Sequence, residues 1–334
     1  MRKPPYPTVL KPYGTALLDL ARADERIVCL SGDLTRQCEV DLFRDELPDR
    51  FVNVGMAEAN MMGIAGALAR AGHVPFVHTF GVFATRRPFD QIVNAIAYPN
   101  LPVRIVGFMP GISSPGGPSH QAIEDVALMR AVPNLTVVDA ADATEIRQVV
   151  PAILDHPGPV YLRLKRGEIP VIFDDDYEFS LHRARRLRLG GDALLVANGM
   201  MLPAAIAAVD VLVAAGVDCG LVHAPVVKPF DAATVVDAAS GVDAVVTAEN
   251  HTVVGGLGSA VAEALAEAGA GCRLRRVGLR DTFAEGALSA HHLFQTYHLT
   301  TQSIVDAVWE ASRRPDPVPV APRSPAAAGE YSPV

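Results

Sequence analysis

Short β-branched runs alternate with longer segments of helical period along the first half of the chain. Arg26–Leu30, Val74–Val77, Val103–Val106, Leu135–Val138 and Val160–Leu164 read as strands. Pro12–Ala23, Ala57–Ala71, Phe83–Ala97, Ile123–Ala131 and Thr144–Leu154 read as helices. Near-continuous apolar strands between amphipathic helices predict a parallel sheet covered on both faces. The rhythm breaks over Phe173–Arg188, where Asp174, Asp175 and Asp176 precede Arg183, Arg185, Arg186 and Arg188. That segment reads as a solvated crossover, with a phosphate- or nucleic-acid-binding strip as the alternative. The rhythm then resumes. Ala193–Ala197, Asp218–Val222, Ala244–Thr247 and Cys272–Val277 read as strands; Met201–Ala215, Ala232–Ala239, Ser259–Ala268 and Thr301–Ser312 read as helices. The expected organisation is two doubly wound α/β domains, 1–175 and 191–312, joined by a linker at 176–190. Residues 313–334 hold six of the 26 prolines and read as a disordered tail, too poor in core formers to offset its ordering entropy.

Composition narrows the classes. The length of 334 residues suits two domains, and 50% hydrophobic with 20% charged residues excludes global disorder. A net charge of −8 and only 6% aromatics argue against a nucleic-acid-coating protein. Cys29, Cys38, Cys219 and Cys272 form no CxxC pair, which suits reduced thiols in the cytoplasm. No apolar core follows the basic start, so no signal peptide is read. The most apolar stretch, Ala193–Val213, is interrupted by Asn198, Gly199, Pro203 and Asp210, which argues against a membrane span.

Several segments carry candidate chemistry, each beside an ordinary reading. Glu58, in GlyMetAlaGluAlaAsn at 55–60, opens a Gly/Ala-rich helix; it is either a dipole-matched surface charge or a buried carboxylate facing a ligand. Phe80 and Phe83 are three apart and share a helical face, as core or as a platform for a flat heterocycle. His120 ends a Gly/Pro loop at a predicted helix start, where substrate contact and capping are equally open. Arg166 follows the last strand of the first domain, at the sheet edge where ligands of parallel sheets sit, or it is an ordinary ion pair. Gly255-Gly256-Leu257-Gly258 leads a helix but lacks the dinucleotide spacing. The remaining histidines have no metal-ligand spacing, and no metal ligands are expected on this chain.

Taken in order, these segments resemble the transketolase family, specifically the C-terminal subunit of split transketolases. The match runs through GlyMetAlaGluAlaAsn at 55–60, ThrPheGlyValPhe at 79–83 and GlyGlyProSerHisGln at 116–121. It continues with LysProPheAsp at 228–231, AlaGluAsnHisThrValValGlyGlyLeuGly at 248–258 and GlyLeuArgAspThrPhe at 278–283. The resemblance implies a parallel-sheet pyrimidine-binding domain, a smaller mixed-sheet C-terminal domain and thiamine diphosphate chemistry. It implies that Glu58 meets the pyrimidine N1′, that Phe80 and Phe83 hold the ring, and that Asp33 and Leu34 line the cofactor. His120 would contact substrate with a catalytic role, and Arg166 would bind a substrate phosphate.

Two departures shape the expectation. The family's GlyAspGly…Asn motif, which holds the diphosphate and Mg²⁺, is absent from the sequence. That implies an N-terminal partner subunit carrying it, in an α2β2 assembly acting on a small molecule. Polar sugar-phosphate contacts also look replaced: Gly116 stands for an Asp, Phe108 or Met109 for a His, Leu10 (beside Lys11) for an Arg, and Gln37 for a Ser. An unusual donor or acceptor is expected. The rival expectations are the β subunit of a 2-oxo acid dehydrogenase, a non-catalytic scaffold, and a nucleotide-binding module at Gly255–Gly258.

Overall fold

The computed structural model describes residues 1–315 and 317–322. Seven strands form the first sheet, in the order Val226–Lys228, Thr136–Asp139, Val160–Leu164, Arg104–Phe108, Val74–Phe80, Ile27–Ser31, Phe51–Asn53. All pair in parallel except Val226–Lys228, which runs antiparallel to Thr136–Asp139. The apolar runs form central strands because both faces are covered: Ile27–Ser31, Val74–Phe80 and Val160–Leu164 are buried at every position. The second sheet has the order Arg273–Leu279, Ala244–Thr252, Ala193–Ala197, Cys219–His223, Arg185–Arg188; only the last strand is antiparallel. Two α/β units are therefore present, one on a parallel-dominant sheet whose single antiparallel strand comes from the second half of the chain, and one on a smaller mixed sheet, as the periodicity and the resemblance implied.

Some expected elements change. The helix expected over Phe83–Ala97 starts at Gly81 and stops at Thr85; it resumes as Phe89–Gln91 and a wider-turned Ile92–Ala97. Pro88 explains the break, since its ring disfavours helical geometry in the residue before it and it has no N–H. The helix expected from Ile123 begins at Asp125. The crossover at 173–188 is not free of structure: Arg185–Arg188 is an edge strand, with Arg186 paired to Asp237 at 2.5 Å and Arg188 to Asp218 at 2.8 Å. These pairs favour the plain solvated reading of that basic run. Among the described residues of the tail, Ala321 N–H donates to Gln302 Oε1 at 2.7 Å; residues 323–334 lie outside the described residues. No helix among the described residues is long and apolar enough to cross a membrane.

Charged groups buried between the domains lock them together. Arg163, 1% exposed, donates to both oxygens of Asp125 (Nε 2.8 Å, Nη2 3.0 Å) and to Asp139 at 3.0 Å. From the same guanidinium Nη2 donates to the carbonyl of Asn250 in the second domain at 2.8 Å. Burial would raise the pKa of Asp125, but Arg163 and the Tyr161 hydroxyl outweigh it and hold the group low. Asp139 has only one such bond and Asp125 as a neighbour, so burial wins and its pKa rises. A second lock joins His223, on Cys219–His223, to Glu145, on the helix Ala143–Leu154, at 3.0 Å. Burial opposes a charged His223, yet the Glu145 carboxylate lifts its pKa above 6.5. Burial likewise opposes an ionised Glu145, yet His223 and Tyr177 bring its pKa below 4.5.

Arg163→Met leaves two buried carboxylates without their cation and is expected to cost about 3–5 kcal/mol in chemical denaturation. Arg188→Met, at a pair open to solvent, should cost clearly less. The His223–Glu145 pair makes its full contribution between the ordinary pKa values of 4.5 and 6.5. It is lost as pH rises through the raised His223 value, and at the other end as pH falls through the lowered Glu145 value. The stability difference between wild type and His223→Gln should therefore shrink as denaturation is repeated from pH 6 upward.

Candidate functional site

The carboxyl ends of the parallel strands gather the candidate residues on one edge of the first sheet. Asp33 and Leu34 follow Ile27–Ser31, Glu58 follows Phe51–Asn53, Phe83 follows Val74–Phe80, and Arg166 follows Val160–Leu164. Ligands of open α/β sheets bind at this edge, near the point where strand order reverses. Here the order reverses at Ile27–Ser31, flanked by Phe51–Asn53 and Val74–Phe80.

Glu58 is the first residue of the helix Glu58–Arg70 and is 3% exposed, so the surface-charge reading fails. The helix N-terminus favours a carboxylate there. Its Oε1 accepts from Arg87 Nη1 at 2.7 Å; its Oε2 accepts no hydrogen bond from the described residues. Phe80 and Phe83 lie near-parallel at 17°, with centroids 6.1 Å apart. The His120 and Phe83 rings are T-shaped, at 73° with centroids 5.3 Å apart, and His120 Nδ1 is 2.9 Å from Ser119 Oγ. A buried carboxylate, two flat apolar faces and an imidazole thus stand together. That set fits a flat nitrogen heterocycle that can stack and meet a carboxylate at its edge.

The other candidates lie further out. Asp33, held at a φ of 68°, accepts from Asn53 Nδ2 at 3.3 Å, and Asn53 Oδ1 accepts from Gly55 N–H at 3.0 Å. This chain of bonds links Asp33 to the turn before Glu58. Leu34 and Phe83 both pack against the main core of the first domain. Arg166 is close enough to Cys38 for its charge to act on that thiol, but no hydrogen bond or ring contact joins it to Glu58, Phe80, Phe83 or His120. His120 does not open a helix. It closes a short turn, Pro118–His120, five residues before the helix that starts at Asp125. Lys11 pairs with Asp41 at 2.5 Å.

Two neighbouring arginines escape the motif reading. Arg86 donates to the carbonyls of Pro118 (2.9 Å) and Gln121 (3.0 Å) and grips both oxygens of Glu124, so it fixes both ends of the His120 turn. Arg87 holds Glu58 and lays its guanidinium over Phe83, with Cζ 4.1 Å from the ring centroid. A signal was present: Phe83 and Arg87 are four apart, the spacing of stacked helical neighbours.

The glycine-rich segment is not a phosphate cradle. Glu249 Oε2 accepts from Leu257 N–H at 2.7 Å and Oε1 from Gly258 N–H at 2.9 Å, filling the N-terminus of the helix Leu257–Glu267. A Cβ on Gly256 would lie 2.0 Å from that carboxylate. The chain's own carboxyl group takes the place a nucleotide would need. Among the described residues, no group of three or more His, Cys, Asp or Glu could hold a metal ion.

Two sequence families match. Residues 6–171 match the transketolase pyrimidine-binding domain and 182–304 the transketolase C-terminal domain. The transketolase family protein y4mN of Sinorhizobium fredii is 45% identical, covering 91% of this chain and 89% of that protein. The 6-deoxy-6-sulfo-D-fructose transketolase subunit SqwH of Clostridium sp. is 43% identical, over 90% of this chain and 94% of its own length. A solved structure titled "Split gene transketolase, inactive beta4 tetramer" superposes with a TM-score of 0.84 at 41% identity, covering 91% of this chain and 97% of that one.

Arg86→Gln should loosen the His120 turn without unfolding the domains. Amide exchange over residues 115–121 is expected to quicken, while the strands Val74–Phe80 and Val160–Leu164 keep their protection. Unchanged exchange there would leave Arg86 without a role in holding the turn.

Proposed function

The chain belongs to the transketolase family, and on that premise we propose that it is the C-terminal subunit of a thiamine diphosphate-dependent transketolase, active only with an N-terminal partner. The observation that carries this reading is the Glu58 carboxylate, buried at a helix start beside the paired Phe80 and Phe83 rings. When bound, thiamine diphosphate supplies the electron sink for moving a two-carbon ketol unit from a ketose-type donor to an aldehyde acceptor.

This chain's residues do the positioning. Phe80 and Phe83 stack the pyrimidine ring, and Leu34 and Asp33 border it. Glu58 shares a proton with the ring nitrogen in a place shielded from water, where a charge-assisted hydrogen bond is strong. His120, steered by Phe83 and Ser119, contacts the oxygens of the substrate and moves protons there. Arg166 takes the anionic end of the substrate. The sequence lacks GlyAspGly, so the diphosphate and Mg²⁺ fall to the partner, with two copies of each chain and the site at their interface. Work in the cytoplasm fits the free thiols.

The substrate is proposed to be an unusual one. Lys11 is engaged with Asp41, and Gly116 and Gln37 replace polar contacts, so a sugar phosphate would leave several hydroxyls unmatched. The name of the SqwH subunit, a transketolase for a sulfonated sugar, supports a donor with a different anionic end.

Glu58→Gln in the reconstituted pair should lower turnover by about 10²–10⁴-fold while the fold persists. Unchanged turnover would remove Glu58 from the chemistry and leave the scaffold reading. Turnover of pyruvate with an electron acceptor would instead select the 2-oxo acid dehydrogenase reading. Efficient use of xylulose 5-phosphate with ribose 5-phosphate would contradict the unusual substrate.

A further inference from the structure

Arg87 makes, within the chain, both of the contacts assigned to the pyrimidine ring. Its Nη1 donates to Glu58 Oε1 at 2.7 Å, and its guanidinium lies over Phe83 with Cζ 4.1 Å from the ring centroid. A guanidinium is flat, stacks on aromatic faces and presents N–H donors along its edge. A pyrimidine ring protonated at nitrogen presents the same combination: a flat face and an N–H donor aimed at a carboxylate. We propose that Arg87 is the resident occupant of the pyrimidine seat, closing it until cofactor enters and then swinging out. The inference rests on the thiamine reading above.

The surroundings suit a group that leaves. The Glu58 side chain is 2% exposed, whereas that of Arg87 is 49% exposed, so Arg87 has a route to solvent and Glu58 has none. Arg87 lies in the break between Gly81–Thr85 and Phe89–Gln91, directly before Pro88, where no helix constrains it. Glu58 is its one side-chain hydrogen-bond partner among the described residues. Its neighbour Arg86, bound to two carbonyls and a carboxylate, is the fixed member of the pair. Such an occupant has a physical purpose. A buried carboxylate with no cation is costly, and Arg87 keeps Glu58 paired and Phe83 covered before the partner completes the site. The consequence is a competition: cofactor affinity is reduced by the fraction of molecules in which the seat is taken.

The test uses the full chain assembled with its GlyAspGly-bearing partner and calorimetric titration of thiamine diphosphate. Arg87→Ala is expected to bind the cofactor roughly three- to tenfold more tightly than wild type. Arg87→Lys, which keeps the charge but not the flat face, should fall between them. The ¹⁵Nε signal of Arg87 gives a readout independent of turnover: ordered in the isolated chain, and mobile once cofactor is bound. Unchanged or weaker binding by Arg87→Ala, with wild type binding normally, would make Arg87 a permanent support for Glu58 and overturn the inference alone. A wild-type pair that binds no thiamine diphosphate would overturn the thiamine reading and this inference with it.

Discussion

A buried arginine with no access to water sets the terms for the whole molecule. Arg163 must be satisfied from within: first-domain acceptors engage all three guanidinium nitrogens, and the second domain adds one more carbonyl to Nη2. Asp125 and Asp139 come from the first domain and the Asn250 carbonyl from the second. Asn250 then reaches further. Its Nδ2 donates to the Pro110 carbonyl at 2.9 Å and its Oδ1 accepts from Ile112 N–H at 3.0 Å. Gly111 is required between them, because it sits at a φ of 55° and a Cβ there would lie 2.1 Å from Asn250. The start of the segment leading to His120 is therefore held by the second domain.

The far end of that segment is held by Arg86 and by the second domain, where Gln121 Nε2 donates to the Glu285 carbonyl at 3.2 Å, and its middle by Ala287 N–H donating to the Pro115 carbonyl at 3.0 Å. The C-terminal domain contributes no proposed catalytic residue, yet it fixes the loop that carries one. It also adds the strand Val226–Lys228 to the first sheet. The site is thus built in two tiers. Glu58, Phe80 and Phe83 stand on rigid elements of the parallel sheet, while His120 stands on a loop made rigid by contacts from elsewhere.

What was legible in the sequence follows this division. Val160–Leu164 and Ala193–Ala197 are read with the bounds they adopt because burial on both faces leaves a continuous apolar signal, and Pro12–Ala23 because its buried positions keep the helical period on one face. Short edge strands such as Phe51–Asn53 and Arg185–Arg188 carry no such signal, being half exposed and held mainly by their neighbours. The helix read over Phe83–Ala97 is interrupted at 86–88 because the apolar period continues through Pro88, where backbone sterics decide instead. Glu58, Phe80 and Phe83 came from their motifs and lie together. Arg86 and Arg87 did not, since their hydrogen-bond partners are 29 to 38 residues away in sequence; only the stack of Arg87 on Phe83 is local. The glycine run before Leu257 was ambiguous for the same reason: Glu249, which fills that helix end, reads as an ordinary strand residue.

The central claim is that this chain supplies the pyrimidine half of a thiamine diphosphate site. Its most direct test is the distance from the Glu58 carboxylate to the ring nitrogen in a crystal structure of the two-chain complex with the cofactor. A hydrogen bond of about 2.6–2.9 Å is expected, with the ring stacked on Phe83. A cofactor seated elsewhere, or a Glu58 carboxylate out of hydrogen-bond reach of the ring, would contradict it.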